Sequence, residues 1–339
     1  MEFDGSASQN PAQAKLMGRL EKFAEKIMGL DSPIIRFHAD ADGISSGILV
    51  RKFIKGKSMQ NDFSHYKAEH AERDALEGRA VLLLDFGSNE ESAKASQKIL
   101  PENLFVIDHH PITTPLQIPN LVSPYSFGLD SRFTSGWMVG EMAKYLGKGE
   151  TKDVEFFQQV SLAGDRSGLV KHSEEAEKLS VAFDYIASSM RISLSTYESM
   201  YRNGSWEGFY LEAKGLISEA VSRIEKTLKA EQIGKFAVIA FPIETKKFPS
   251  KGKIAQELLK RERNSCIVIP YDKKYITFRS NNIATANGFD GGKLISSLKE
   301  ENPNAIIFGG GHPNAASMKV GENLRDFMLQ KIKEKISKI

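Results

Sequence analysis

Four times in the first half of the chain a short apolar run ends abruptly at Asp or His beside Gly or Ser. Ile34 to Phe37 leads into His38-Ala39-Asp40-Ala41-Asp42-Gly43, and Leu82-Leu83-Leu84 leads into Asp85-Phe86-Gly87-Ser88. Val106-Ile107 leads into Asp108-His109-His110-Pro111, and Leu162-Ala163 into Gly164-Asp165-Arg166-Ser167-Gly168. A parallel α/β sheet presents groups to a ligand at the carboxyl ends of its strands. The recurrence therefore constrains the chain to an α/β design that gathers acids and imidazoles along one edge, and the set reads as a metal cluster.

The rest of the pattern agrees. Leu16, Leu20, Phe23, Ile27 and Leu30 recur at three or four, which predicts a helix from about Ala12 to Met28. A strand at Ile34–Phe37, a helix at Ile44–Ile54, a strand at Ala80–Leu84, a helix at Glu90–Ile99 and a strand at Leu104–Ile107 make successive βαβ units. Helices are expected at Thr134–Leu146 and Asp153–Ala163, with Asp165 just beyond the second. Residues 173–229 are helical in pattern, broken at Asn203-Gly204-Ser205, and read as a connector. Beyond it, strands at 236–241, 265–270, 275–279 and 305–308 alternate with helices at 254–261, 291–299 and 324–336, a smaller α/β unit. A length of 339 residues suits two domains, because single cores seldom grow beyond about 250 residues. The expected division is a catalytic metal-binding domain over residues 1–190, a helical connector over 191–232 and a substrate-binding domain over 233–339.

Charge does not mark the chain as a nucleic-acid binder, since 46 basic and 43 acidic residues leave a net charge of only +3. A polyanion has to be held by a local patch and by metal. No apolar run approaches the roughly 20 residues that cross a bilayer, and the start of the chain, with Glu2, Asp4, Asn10 and Gln13, lacks the basic and apolar regions of a signal peptide. A cytoplasmic protein with no membrane partner is expected. The single cysteine, Cys266, sits in an apolar strand and reads as a buried thiol.

Carboxylate oxygens suit Mg²⁺ and Mn²⁺, and imidazole shifts a site toward the transition metals, so the mixed set points to two Mn²⁺ ions, with Mg²⁺ or Co²⁺ as substitutes. In an extended segment His38, Asp40 and Asp42 point to the same side and feed two metals from one loop. Asp85, at the end of its own strand, is the candidate bridging carboxylate, and His109 and Asp165 complete the second site. His110 is placed to be a cation beside a phosphoryl group, with Arg279 and His312 as others. The run Gly309-Gly310-Gly311-His312-Pro313 lets backbone amides approach an anion closely, and a helix starting near Pro313 would add its positive end.

Taken together, Asp40-Ala41-Asp42-Gly43, the lone Asp85, Asp108-His109-His110, Asp165 and the terminal Gly-Gly-Gly-His resemble the DHH phosphoesterase superfamily with its DHH-associated C-terminal domain, in order from about Ile34 to Ala316. Within it the chain looks closest to RecJ-like exonucleases and small oligonucleotide phosphodiesterases. The resemblance implies His38, Asp40 and Asp85 on one metal and Asp42, Asp85, His109 and Asp165 on the other, with Asp108 orienting the histidine pair. It implies catalytic roles for Asp85, Asp108 and His110, and substrate contacts from His110, Arg279, Gly309, Gly310, Gly311 and His312, in a cleft between the two domains. The implied activity is hydrolysis of single-stranded DNA or RNA from an end, with replication or repair proteins as partners. Bacterial RecJ enzymes often carry an acid where His38 stands and an added OB-fold, for which this length leaves no space. That departure favours a second reading, in which the substrate is a short oligonucleotide, a cyclic dinucleotide or 3′-phosphoadenosine 5′-phosphate. A non-catalytic replisome scaffold and an inorganic pyrophosphatase are further alternatives; the first conflicts with the full ligand set, the second with the glycine-rich tail.

Blander roles suit other residues. Thr134 and Ser135 read as a helix N-cap, His65 and His172 as structural imidazoles, and Arg132 and Arg166 as solvated surface.

Overall fold

The computed structural model describes residues 10–112, 118–245 and 247–339. The reading of Glu2 and Asp4 lies outside the described residues. In chain order the elements are α1 (Pro11–Met28), β1 (Ile34–His38), α2 (Ala41–Val50), β2 (Lys57–Asn61), α3 (Ala68–Leu76), β3 (Val81–Leu84), α4 (Glu90–Ser96), β4 (Leu104–Ile107), β5 (Leu121–Val122), α5 (Ser135–Tyr145), α6 (Thr151–Gly164), α7 (Glu174–Ser189), α8 (Leu194–Asn203) and α9 (Trp206–Glu225). Then come β6 (Glu231–Ile233), β7 (Phe236–Pro242), α10 (Lys251–Leu259), β8 (Cys266–Tyr271), β9 (Tyr275–Ser280), α11 (Asn282–Ala286), α12 (Gly291–Glu301), β10 (Ile306–His312), β11 (Ala315–Val320) and α13 (Arg325–Ile336). The chain divides into two compact units, meeting in sequence at Tyr210 and Leu211 within α9.

The first unit is built on a five-stranded, all-parallel sheet in the order β2-β1-β3-β4-β5. Side chains alternate across a strand, so Ile35, Phe37, Leu82, Leu84, Phe105 and Ile107 fill one face and Ile34, Val81, Leu83, Leu104 and Val106 the other. On the first face they meet Leu20 and Phe23 of α1, Ile44 and Ile48 of α2, Met138 of α5 and Phe157 of α6 in one core. Leu179, Phe183 and Ile186 of α7 and Leu194 and Tyr197 of α8 join the same core, although they fall in the stretch read as a connector. On the other face the sheet meets Ala71 of α3, Ala95 of α4 and Tyr66. Both faces are covered, which is why these strands read as continuous apolar runs.

Arg36 breaks that run. It points to the second face, 1% exposed, and its guanidinium meets the carboxylate of Asp74 from α3 with Nη2 2.7 Å from Oδ1 and Nε on Oδ2. The Tyr66 hydroxyl donates to the same Oδ2 at 2.6 Å. A strand β2 of sequence Lys-Ser-Met-Gln-Asn was not expected from the apolar pattern. It is an edge strand with one neighbour, and only Asn61 in it is buried.

The second unit holds a six-stranded mixed sheet in the order β10-β11-β9-β8-β7-β6, in which β7 and β8 alone pair in parallel. Its core joins Ile276, Phe278, Ala316 and Met318 to Leu294 and Leu298 of α12 and Met328 and Ile332 of α13. The glycine run differs from expectation. No helix starts at Pro313; Gly309, Gly310, Gly311 and His312 finish β10, and Pro313-Asn314 is the two-residue turn of a hairpin in which His312 pairs with Ala315. The helix N-terminus beside that turn belongs to α12, whose Gly291 amide donates to the Pro313 carbonyl at 2.8 Å. Among the described residues no helix is long and apolar enough to cross a membrane.

Candidate metal centre

In the order β2-β1-β3-β4-β5 the direction of strand addition reverses between β1 and β3, the place at which open α/β sheets bind ligands beyond the carboxyl ends of their strands. His38 is the last residue of β1 and Asp85 follows β3 directly. Asp40 and Asp42 are not side by side on an extended loop, because α2 begins at Ala41. Asp40 is its N-cap, accepting from the Gly43 amide at 3.0 Å, and Asp42 lies in its first turn. Asp184 of α7 accepts from the Ala41 amide at 2.8 Å and fixes the same turn. The helix separates the two acids around its axis, so the loop serves two places by rotation rather than by alternation. Gly43 makes this tight turn possible: a Cβ there would lie 2.3 Å from the His38 carbonyl oxygen. Gly43→Ala is expected to cost about 1–3 kcal/mol in urea unfolding, measured on the metal-free protein.

Asp85 has a φ of +67°, a left-handed conformation that Asp tolerates better than most residues, and its amide donates to the Ile107 carbonyl at 2.8 Å. The result is a carboxylate, 1% exposed, whose two oxygens serve two clusters. Its Oδ1 lies 3.3 Å from His109 Nε2, while its Oδ2 lies 3.4 Å from His38 Nδ1. Around the first oxygen gather Asp42, His109 and Asp165, and around the second His38 and Asp40; within each group, Asp85 included, the donor atoms lie within 4.8 Å of one another. His109 Nε2 is 3.1 Å from Asp165 Oδ2 and 3.5 Å from Asp42 Oδ2. His38 Nδ1 is 2.6 Å from Asp40 Oδ2.

The surroundings hold these donors in place. Asp42 Oδ2 accepts from the Ser135 amide at 2.9 Å, and Oδ1 accepts from the Gly136 amide at 2.7 Å and the Ser161 hydroxyl at 2.6 Å. The amides belong to the N-terminus of α5, whose positive end favours a carboxylate. Thr134 caps that helix as the sequence suggested, accepting from the Trp137 amide. His109 Nδ1 is 2.8 Å from the Ser131 carbonyl; a carbonyl can only accept, so Nδ1 carries the proton and Nε2 is the atom offered to the acids. Asp108 Oδ2 accepts from the amide and hydroxyl of Ser88, and Oδ1 accepts from the backbone amide and Nδ1 of His110 at 3.1 and 2.7 Å. Asp108 thus orients His110, while the Ser131 carbonyl orients His109.

The donor set fits a divalent cation. Burial pushes the Asp42 carboxyl well above the ordinary range, and the neighbouring charges of Asp85 and Asp165 push it further. Burial opposes the charged form of His109, but Asp165, Asp85 and Asp42 outweigh it and hold that imidazole well above its usual value. Three carboxylates are thereby packed with strong mutual repulsion, which the imidazolium of His109, further protons or a bound cation relieve. Burial likewise opposes the charged form of Asp108, yet His110 holds it well below the carboxylate range.

No protein-family model matches the chain. An uncharacterized protein of Methanocaldococcus jannaschii is 23% identical over an alignment of 384 residues, covering 86% of this chain and 50% of that protein; the chain spans about half the length of the curated relative it matches. Among solved structures, the DHH domain of a member of a ribosomal-protein family superposes with a TM-score of 0.76 at 18% identity, over 100% of this chain and 94% of the other. The fold is that of the DHH-domain proteins. RecJ of Thermus thermophilus in complex with Mn²⁺ has a TM-score of 0.61 at 14% identity, over 99% of this chain and 56% of that one. The pGpG-specific phosphodiesterase PggH of Vibrio cholerae has a TM-score of 0.51 at 12% identity, over 90% and 99%.

Within this DHH fold the six sequence-nominated donors of the first unit come together, with Asp108 and His110 beside them. Arg279, Gly309, Gly310, Gly311 and His312 belong to the second unit. There Gly252 of α10 makes room for the Arg279 guanidinium, since a Cβ would lie 2.5 Å from Nη2. Sequence reasoning missed the supporting residues Ser88, Ser131, Gly136 and Ser161, and gave Ser135 only a capping role. The Thr134-Ser135-Gly136 helix opening was the one available signal. His172 pairs with Glu177 at 3.1 Å and Arg132 with Asp130 at 2.9 Å.

Proposed function

We propose that the protein is a Mn²⁺-dependent phosphodiesterase that hydrolyses single-stranded DNA or RNA from an end and releases nucleoside monophosphates. The observation that carries the reading is Asp85, one buried carboxylate with an oxygen in each of two donor groups. A pair of divalent ions, when bound, supplies a nucleophile from water near neutral pH and neutralises charge on the phosphoryl oxygens. His38, Asp40 and Asp85 would hold one ion and Asp42, Asp85, His109 and Asp165 the other. Imidazole among the donors favours Mn²⁺ over Mg²⁺. The chain's own residues do the rest. Asp108 accepts the Nδ1 proton of His110, which leaves Nε2 to meet a non-bridging phosphate oxygen. Arg279 and the Gly309–His312 run of the second unit bind the phosphates of the terminal nucleotides.

Labelled single strands incubated with Mn²⁺ are expected to yield mononucleotides progressively; absence of mononucleotide release at every length would refute the reading. The likeness to a pGpG-specific phosphodiesterase over nearly the whole of both chains favours a second reading, with a dinucleotide-sized substrate. Turnover as a function of length separates the two: a maximum at about two to four nucleotides supports the second.

A further inference from the structure

We propose that the open face of the second unit's sheet over β10 and β11 is a track for single-stranded nucleic acid in which Phe308, with Tyr275 beside it on β9, stacks bases and Lys319 holds phosphates. The proposal rests on the reading of the protein as a nucleic-acid phosphodiesterase and specifies which length of strand it takes.

Strand register defines the face. Phe308 lies directly opposite Lys319, and Lys319 opposite Tyr275, across three antiparallel strands, so the three side chains form one row. With a period of two, the next rows on the same face are Gly310-Ser317-Thr277 and His312-Ala315-Arg279. The opposite face, with Ile276, Phe278, Ala316 and Met318, is sealed in the core. The track is open along β10 and β11, where Phe308 is 40% exposed and a Cβ added at Gly310 would meet nothing within 4 Å; on β9 Thr277 is buried and α10 lies against the strand, its Gly252 beside the Arg279 guanidinium. Its middle row carries only small side chains, which leaves a shallow trough between an aromatic end and a cationic end.

The aromatic end is framed by cations. Lys319 Nζ lies 5.6 Å from the centre of the Phe308 ring and 5.9 Å from that of Tyr275, and the two rings meet edge to face at 6.2 Å. Lys251 Nζ lies 5.6 Å from the Tyr275 ring, but it is largely buried and ion-paired with Asp272 at 2.5 Å, so Lys319 is the cation the track uses. Lysine stems lying over rings are common on surfaces. Here they stand beside a large exposed ring on an edge strand, where such a ring is a liability unless something covers it. A polyanion bearing flat bases complements rings and ammonium groups together. From Phe308 to His312 is four residues, about 13 Å at a strand rise of about 3.3 Å, which corresponds to about four steps of about 3.4 Å between stacked nucleotides, or about five nucleotides. A stacked dinucleotide, one such step, covers about a quarter of that length.

The test is fluorescence anisotropy of labelled single strands of two, four and eight nucleotides with the full chain in EDTA, which prevents turnover. Affinity is expected to rise with length, and Phe308→Ala to erase at least about tenfold of that rise, with Phe308→Trp restoring it. Lys319→Gln is expected to reduce the slope of log affinity against log salt by about 0.7–1, which keeps the proposal testable if Phe308→Ala does not fold. Unchanged length dependence in Phe308→Ala, or an unchanged salt slope in Lys319→Gln, overturns it. So does a Phe308→Ala effect confined to the oligomeric state in light scattering, which would make the face a contact between copies of this chain. Hydrolysis of the same strands by the wild-type protein with Mn²⁺ is scored separately. Phe308-dependent binding without hydrolysis removes the phosphodiesterase reading and leaves the track; hydrolysis with Phe308 immaterial removes the track alone.

Discussion

Asp85→Asn is expected to lower phosphodiester hydrolysis on the order of 10³-fold or more, because losing a shared carboxylate removes several kcal/mol of metal-derived stabilisation of the transition state. Asparagine is the informative replacement. The Asp85 backbone is left-handed at φ +67°, which Asn adopts readily and Ala does not, so Asp85→Ala would mix strain with the loss of charge. Asn also removes one negative charge from a group that already repels itself, in which Asp42 is driven toward its neutral form by burial and by Asp85 and Asp165. The metal-free variant should therefore melt no lower than the metal-free wild type, while Mn²⁺, which is expected to stabilise the wild type by binding its folded state, should raise its melting temperature much less. Full activity in Asp85→Asn would show that the two donor groups do not work as a pair.

The largest expected effect on stability lies on the other face of the same sheet. Arg36 and Asp74 are buried to within 1%, paired through two contacts, and Tyr66 donates to the same carboxylate. Asp74→Ala strands a guanidinium in the core and is expected to cost about 3–5 kcal/mol in urea unfolding. The double replacement Arg36→Met with Asp74→Ala removes both charges, and it is expected to recover much of that loss. A cost below about 1 kcal/mol for Asp74→Ala would mean that water reaches the pair and that the second core is looser than its packing implies.

Much of the centre was legible because apolar strands and the acids that end them are adjacent in sequence. Val106-Ile107 before Asp108-His109-His110 states both the strand and the side chains that gather at its end. What supports those side chains was not legible, since Asp42 takes its hydrogen bonds from residues 93, 94 and 119 positions away. The expected alternation of His38, Asp40 and Asp42 failed because Asp40 with Gly43 three residues later is a helix start, and a helix rotates where a strand alternates. The helix expected at Pro313 failed for a related reason. Ala316, Met318 and Val320 point inward and Ala315, Ser317 and Lys319 outward, a strand period that the proline obscured. The polar edge strand β2 carries no apolar run and left no trace in the pattern.

The most direct measurement is anomalous diffraction from crystals grown with Mn²⁺. Two peaks are expected in the first unit, one among His38, Asp40 and Asp85 and the other among Asp42, Asp85, His109 and Asp165, each touching a different oxygen of Asp85. A single peak, or two that do not share Asp85, would contradict the account.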